Sequence, residues 1–156
     1  MTKIKTFNLI AGALTLALTG IAQAQSYGTD IAVEAAKKVA AGTLAECVKN
    51  NWRVAVAVVD THGSLVYFER IDDTQHASGR IAVAKARAAA TYRRPTRVFA
   101  EGINKGSPAT ATLPGVIGSP GGVPIVIGGK IVGAVGVSGV TGDQDEQCAK
   151  AGTGAL

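Results

Sequence analysis

Two pairs of valine-rich strands, each turning back through a short glycine-containing turn, dictate the architecture of this chain. The first pair is Arg53-Val-Ala-Val-Ala-Val-Val-Asp60 and Leu65-Val-Tyr-Phe-Glu-Arg70, joined by Thr61-His62-Gly63-Ser64. The second is Val123-Pro-Ile-Val-Ile127 and Lys130-Ile-Val-Gly-Ala-Val-Gly-Val-Ser138, joined by Gly128-Gly129. β-Branched residues suit a pleated, buried surface, and glycine turns of this length close antiparallel hairpins. Gly133 and Gly136 inside the last strand predict close approach by another backbone or a ligand.

Helices fill the spaces between. Residues 30–49 carry Ile31, Ala35, Val39, Leu44 and Val48 near a 3.6 spacing, with Thr29 as the expected N-cap. A second, alanine-rich helix is expected from Ser78 to Arg94, stopped by Pro95, with a short helical piece at 96–101. Thr141-Gly-Asp-Gln144 reads as a capping box opening a last helix, and Asp143, Asp145 and Glu146 suit the positive end of its dipole. Residues 102–122 are punctuated by glycine and proline and read as a long loop, with Val116-Ile117 a candidate short strand. The order is αββα, a loop, then ββα, which makes an α+β domain.

Residues 1–24 read as a secretory signal. Lys3 and Lys5 form a positive start, Leu9 to Ile21 is apolar, and Ala22-Gln23-Ala24 is a small-x-small cleavage site. The apolar run is short and broken by Gly and Thr, so a membrane anchor is not expected. Cleavage after Ala24 leaves one domain of 132 residues, 25–156, destined for the periplasm or the exterior. It also removes two lysines and no acid, lowering the formal charge from +5 to +3. That small charge, together with export, argues against nucleic acid as a partner. With three Phe, three Tyr and one Trp in the whole chain, the core must be built from Val, Ile, Leu and Ala. The two cysteines of an exported chain, Cys47 and Cys148, predict one disulfide tying the first and last helices together; two separate buried thiols are the alternative.

Catalytic equipment is sparse. There is no Ser-His-Asp spacing, HExxH, CxxC or P-loop, and only two histidines, His62 and His76. Function is therefore expected from a binding surface, a bound cofactor or an assembly.

Four segments, in order, carry a resemblance. They are Ala55-Val-Ala-Val-Val-Asp60-x-x-Gly63-x-Leu65 leading into Arg70-x-Asp72; Ser78-x-x-x-Ala82-x-Ala84-Lys85-Ala86-x-Ala88; Gly121-Gly122-Val-Pro124-Ile; and Val132-Gly133-Ala-Val-Gly136-Val-Ser138-Gly139, followed by Gly142-Asp-Gln-Asp145. Together they resemble the GlcG/HbpS-like haem-binding family, also called haem-degrading proteins. The resemblance implies a profilin-like fold, an antiparallel sheet of about five strands flanked by helices. It also implies homo-oligomers and binding of haem or a related tetrapyrrole, for capture, storage or sensing. The alternative is an enzyme that degrades haem or acts on a small hydroxy acid or a corrinoid.

A haem site needs an apolar slot, an iron ligand and cations for the propionates. His76, in the polar loop before the alanine-rich helix, is the candidate iron ligand; an ordinary exposed loop histidine is the plain alternative. Tyr92, Thr110 or a cysteine thiolate could ligate instead, whereas His62 reads as a turn residue. Arg80, Lys85, Arg87, Arg93, Arg94 and Arg97 occur without an acid between Asp73 and Glu101. Arg80, Arg87 and Arg94, seven apart, would form one helical stripe able to hold carboxylates bidentately; with Lys85 they are the candidate propionate partners. A solvated face, or pairing with Asp143, Asp145 and Glu146 between subunits, is the competing reading. Gly121-Gly122 could form an anion nest or serve only as a bulge needing positive φ. Arg70 and Asp72 are expected to pair as an internal salt bridge.

Overall fold

The computed structural model describes residues 26–156. The expected signal, 1–24, lies outside them. The elements are α1 (Val33–Lys49), β1 (Ala55–Val59), β2 (Leu65–Arg70), α2 (Ser78–Tyr92), α3 (Arg97–Asn104), a 3-10 turn at Pro108–Thr112, β3 (Gly122–Ile127), β4 (Lys130–Ser138) and α4 (Gly142–Thr153).

Each hairpin forms where its turn residues allow it. Gly63, Gly128 and Gly129 all have positive φ. The hairpins then join through their buried strands, β1 against β4, giving an antiparallel sheet of order β2-β1-β4-β3. It has four strands among the described residues, one fewer than expected. Val116-Ile117 lies between Gly115 and Gly118 in irregular backbone, and Tyr27 contributes only an isolated parallel bridge to Ile131.

Strand alternation divides the core in two. Val54, Val56 and Val58 point to the layer of α1 and α4, with Val39, Ala40, Cys47, Val135, Val137, Cys148 and Ala149. Cys47 and Cys148 are bonded to each other there, as expected. Ala55, Ala57 and Val59 point the other way, onto Ala82, Ala86, Ala89 and Ala90 of α2. The apolar side chains of this second layer are none larger than valine, so here α2 lies almost backbone to backbone on the sheet. A Cβ built at Gly136 would stand 2.0 Å from the Ala82 carbonyl oxygen and 2.5 Å from the Ala86 nitrogen. Glycine is the residue that permits the contact.

Helix ends differ from expectation where tertiary contacts intervene. Helix α1 starts at Val33 without a side-chain cap, because residues 26–31 run beside β4 as a strap: Gly28 N–H donates to Ile131, Ile31 N–H to Val132, and Ile131 N–H to Ser26. Helix α2 stops at Tyr92, where Arg93 turns left-handed at φ 54°. Helix α4 opens with the expected capping box: Thr141 accepts from Gln144 N–H, and the Gln144 side chain accepts from Thr141 N–H.

Candidate functional site

The outward face of α2 is the most distinctive surface. Its inner face is committed to alanine packing, leaving Ala77, Arg80, Ile81, Val83, Ala84 and Arg87 to meet their neighbours or solvent. On one side lies a cleft of about 410 Å³ lined by Leu65, Phe68, Gly79, Arg80, Val83 and Arg87. On the other lies a cleft of about 330 Å³ lined by Ala77, Arg80, Ile81, Ala84 and Ile117. Both are in the size range of small-molecule sites. Arg80 borders both, so one cation stands between two apolar walls. Leu65 and Phe68 are 49% and 41% exposed, more apolar surface than a polar edge strand needs. Arg87 is exposed but fixed: its Nε donates to the Gly63 carbonyl at 3.0 Å.

Of the six basic residues read as one set, Arg93 lies over the Tyr27 ring and the other five divide into three groups. Arg80 and Arg87 stay on the cleft face. Arg94 leaves it, because α2 ends before it and its Nε donates to the Tyr92 carbonyl. Lys85 and Arg97 pair with acids of α4. The Lys85 ammonium is 2.7 Å from Asp145 Oδ2 and 3.0 Å from the Val137 carbonyl, with both side chains 2% exposed. Burial pushes the Lys85 amine below the usual lysine range and the Asp145 carboxyl above the usual carboxylate range, each opposed by the other's charge. Lys85 is thus a strut between α2, β4 and α4 and presents no charge to a ligand. Arg97 pairs with Asp143 and Glu146 within the same chain.

Gly121-Gly122 belongs to the same strut. Gly121 has φ 121°, and a Cβ on it would meet Asp145, Val137 and Lys85 within 2.9 Å. The Gly121 carbonyl accepts from Val137 N–H, and Gly122 N–H donates to Thr96 Oγ1 at 3.0 Å. These buried glycines serve packing around the ion pair, and the anion-nest expectation gives way to that role.

His76 is exposed in the turn just before α2 and lines neither cleft. The other ligand candidates are engaged elsewhere. Tyr92 Oη donates to the Pro114 carbonyl at 2.7 Å and its ring meets Phe99 edge-on. Thr110 packs against Gly102. The disulfide removes both thiolates. Arg70 and Asp72 are exposed and not paired with each other. Thr74 holds that hairpin end instead, its hydroxyl donating to the Ile71 and Val54 carbonyls.

Sequence reasoning missed one constellation. Asp30 of the strap lies beside Asp60 and His62 of the β1–β2 turn, with one ligand atom of each within 4.8 Å of the others. Asp30 is 30 residues from Asp60 in sequence, and only the strap brings them together.

Against known proteins, residues 31–154 match the family model described as haem degrading protein HbpS-like. The chain belongs to this HbpS-like family. It is 45% identical over 93 residues to the protein GlcG of Escherichia coli K12, covering 60% of this chain and 69% of GlcG. It is 34% identical over 128 residues to an uncharacterised 15.0 kDa protein of Citrobacter freundii encoded between dhaT and dhaS, covering 77% and 87% of the two chains. The crystal structure of HbpS superposes with a TM-score of 0.77 at 33% identity, covering 84% of this chain and 93% of that one. The HbpS-like α+β fold, an antiparallel sheet flanked by helices, therefore holds here.

Proposed function

We propose that this member of the HbpS-like family binds haem on the outward face of α2, as an exported homo-oligomer that captures, stores or senses it. The observation that carries the reading is Arg80, which stands between two apolar clefts on one helix face. A tetrapyrrole is flat and apolar with carboxylates at its rim. Leu65, Phe68 and Val83 on one side, or Ile81, Ala84 and Ile117 on the other, offer matching walls, while Arg80 and Arg87 offer guanidinium forks for carboxylates. Bound haem would supply its own redox and ligand chemistry. The chain's residues would position it, shield its apolar faces and neutralise its propionates.

None of the residues lining either cleft is a customary axial ligand. His76 adjoins Ala77 at the rim of the second cleft and is the residue we assign to the iron. The clefts are open on their outer side, and a second copy of the chain laid over them would enclose the ligand. The amino-terminal segment supports export, and the disulfide suits an oxidising compartment.

Haemin titration followed in the Soret region, beside His76→Ala, tests the ligand assignment. A shifted, saturable band that moves or weakens in the variant supports it, and identical spectra reject His76. Light scattering with and without haemin reads the assembly. The family's description as haem-degrading favours turnover as a second reading. Loss of the Soret band with iron release, on adding a reductant, would establish it; a stable band would limit the protein to binding.

A further inference from the structure

We infer that Asp30, Asp60 and His62 form a binding site for a divalent first-row transition ion where the amino-terminal strap meets the β1–β2 turn. The three side chains come from two segments distant in sequence; the two carboxylates are each placed by contacts of their own, and the exposed His62 ring lies with Nδ1 3.3 Å from Thr61 Oγ1. Asp30 Oδ1 accepts from the Thr61 N–H and hydroxyl. Asp60 Oδ1 accepts from the N–H groups of His62 and Ser64 at 2.9 and 2.8 Å. Each carboxylate is thus anchored through one oxygen, and its second oxygen takes no part in that anchoring. His62 Nδ1 lies 3.6 Å from Asp30 Oδ2, and one ligand atom of each residue falls within a 4.8 Å span. Ligands of one ion at about 2.0–2.2 Å stand roughly 3–4 Å apart, so a small side-chain rotation closes the set.

The donor chemistry selects the ion. An imidazole nitrogen with two carboxylates suits zinc, iron or manganese, whereas calcium takes six to eight oxygens and magnesium retains most of its water. The site is open to solvent, so water would complete the coordination. It lies apart from the strut: Lys85 and Asp145 are buried behind α2. It does neighbour the cleft face, because Gly63, in the same turn, is the residue whose carbonyl holds Arg87. An ion bound there would cross-link the strap to the sheet and raise thermal stability by mass action.

The test is calorimetric titration of the mature, tag-free protein with zinc chloride, and separately with manganese chloride read by loss of the free-ion EPR signal. NMR of the two histidine rings accompanies the zinc series. One ion per chain is expected, with the His62 ring resonances shifting and those of His76 unchanged. His62→Ala and Asp30→Asn should each weaken binding by at least the roughly 10–100-fold that loss of an outer-shell partner costs. His76→Ala should leave it intact, and zinc should raise the melting temperature of the wild type but not of His62→Ala. No saturable binding would overturn the inference and leave an ordinary surface His–Asp contact. So would binding that survives both His62→Ala and Asp30→Asn, or a shift confined to His76.

Discussion

Removing one partner of the Lys85–Asp145 pair should damage this protein more than almost any other polar substitution, and in a pH-dependent way that identifies which charge was orphaned. Both side chains are 2% exposed, and the ammonium donates to Asp145 Oδ2 and the Val137 carbonyl. Lys85→Met keeps the aliphatic stem but leaves a buried carboxylate whose remaining support is the backbone N–H groups of Val140 and Gly139. Breaking a buried pair in this manner costs about 3–5 kcal/mol, a large part of the ~5–15 kcal/mol that holds a domain together. At roughly 3 °C per kcal/mol for a chain of this size, the melting temperature falls by about 10–15 °C. Asp145→Asn should cost a comparable amount by leaving the ammonium. The double variant should cost about 2 kcal/mol less than the sum of the two. The pH signs oppose each other. Burial raises the Asp145 carboxyl, so in Lys85→Met the native state takes up a proton before the unfolded chain does, and the penalty shrinks as pH falls from about 7 towards 4. Burial lowers the Lys85 amine, so in Asp145→Asn the native state loses its proton first, and the penalty shrinks as pH rises from about 7 towards 10. Urea midpoints of the oxidised protein across pH, at constant m, measure all of this. Additive single-variant costs below about 1 kcal/mol, or penalties flat with pH, would refute the assignment of a desolvated pair.

Three other outcomes follow from the packing and the proposed processing site. Gly136→Ala drives a methyl into the α2 backbone and should destabilise by at least the ~1–3 kcal/mol typical of overpacking, whereas Ala84→Val on the outward face should stay within about 1 kcal/mol by urea denaturation; equal effects would remove the backbone-contact argument. Replacing both Cys47 and Cys148 by Ala should lower stability by about 2–5 kcal/mol, since the closed loop spans 101 residues, and reduction of the wild type should reproduce the loss. Intact-mass analysis of the exported protein should place the amino terminus at Gln25 with two protons missing for the disulfide, and any other terminus rejects the proposed cleavage.

The parts of the fold legible in the sequence are those set by neighbours along the chain. The two hairpins follow from valine alternation and glycine turns, α4 from its capping box, and the disulfide from the cysteine count together with the expected export signal. What escaped depends on contacts made at a distance. Lys85 sits among arginines in the sequence and looks like one more surface cation, yet its partner is 60 residues away. Arg94 keeps the seven-residue spacing, but Arg93 turns left-handed one residue earlier, so the periodicity outlives the helix. Gly121-Gly122 carried a real signal, the need for glycine, whose cause is the crowded Lys85–Asp145 strut and not a ligand. Asp30 looked like a helix-start residue, and its meeting with Asp60 and His62 exists only once the strap lies along β4. The cleft face was half visible, in Arg80 and Arg87. Its apolar walls are completed by β2 and by Ile117, which the helix pattern alone could not supply.

The measurement that bears most directly on the haem proposal is a haemin titration of the mature protein beside Arg80→Glu. Arg80 is exposed and borders both clefts, so the substitution reverses the charge at the centre of the site without touching the core. Charge-assisted hydrogen bonds contribute about 1.5–3 kcal/mol each, so binding should saturate in the wild type and weaken by roughly 10–100-fold in the variant. An unchanged affinity in Arg80→Glu, or a wild type that shows no saturable binding, would contradict the placement of haem on this face of α2.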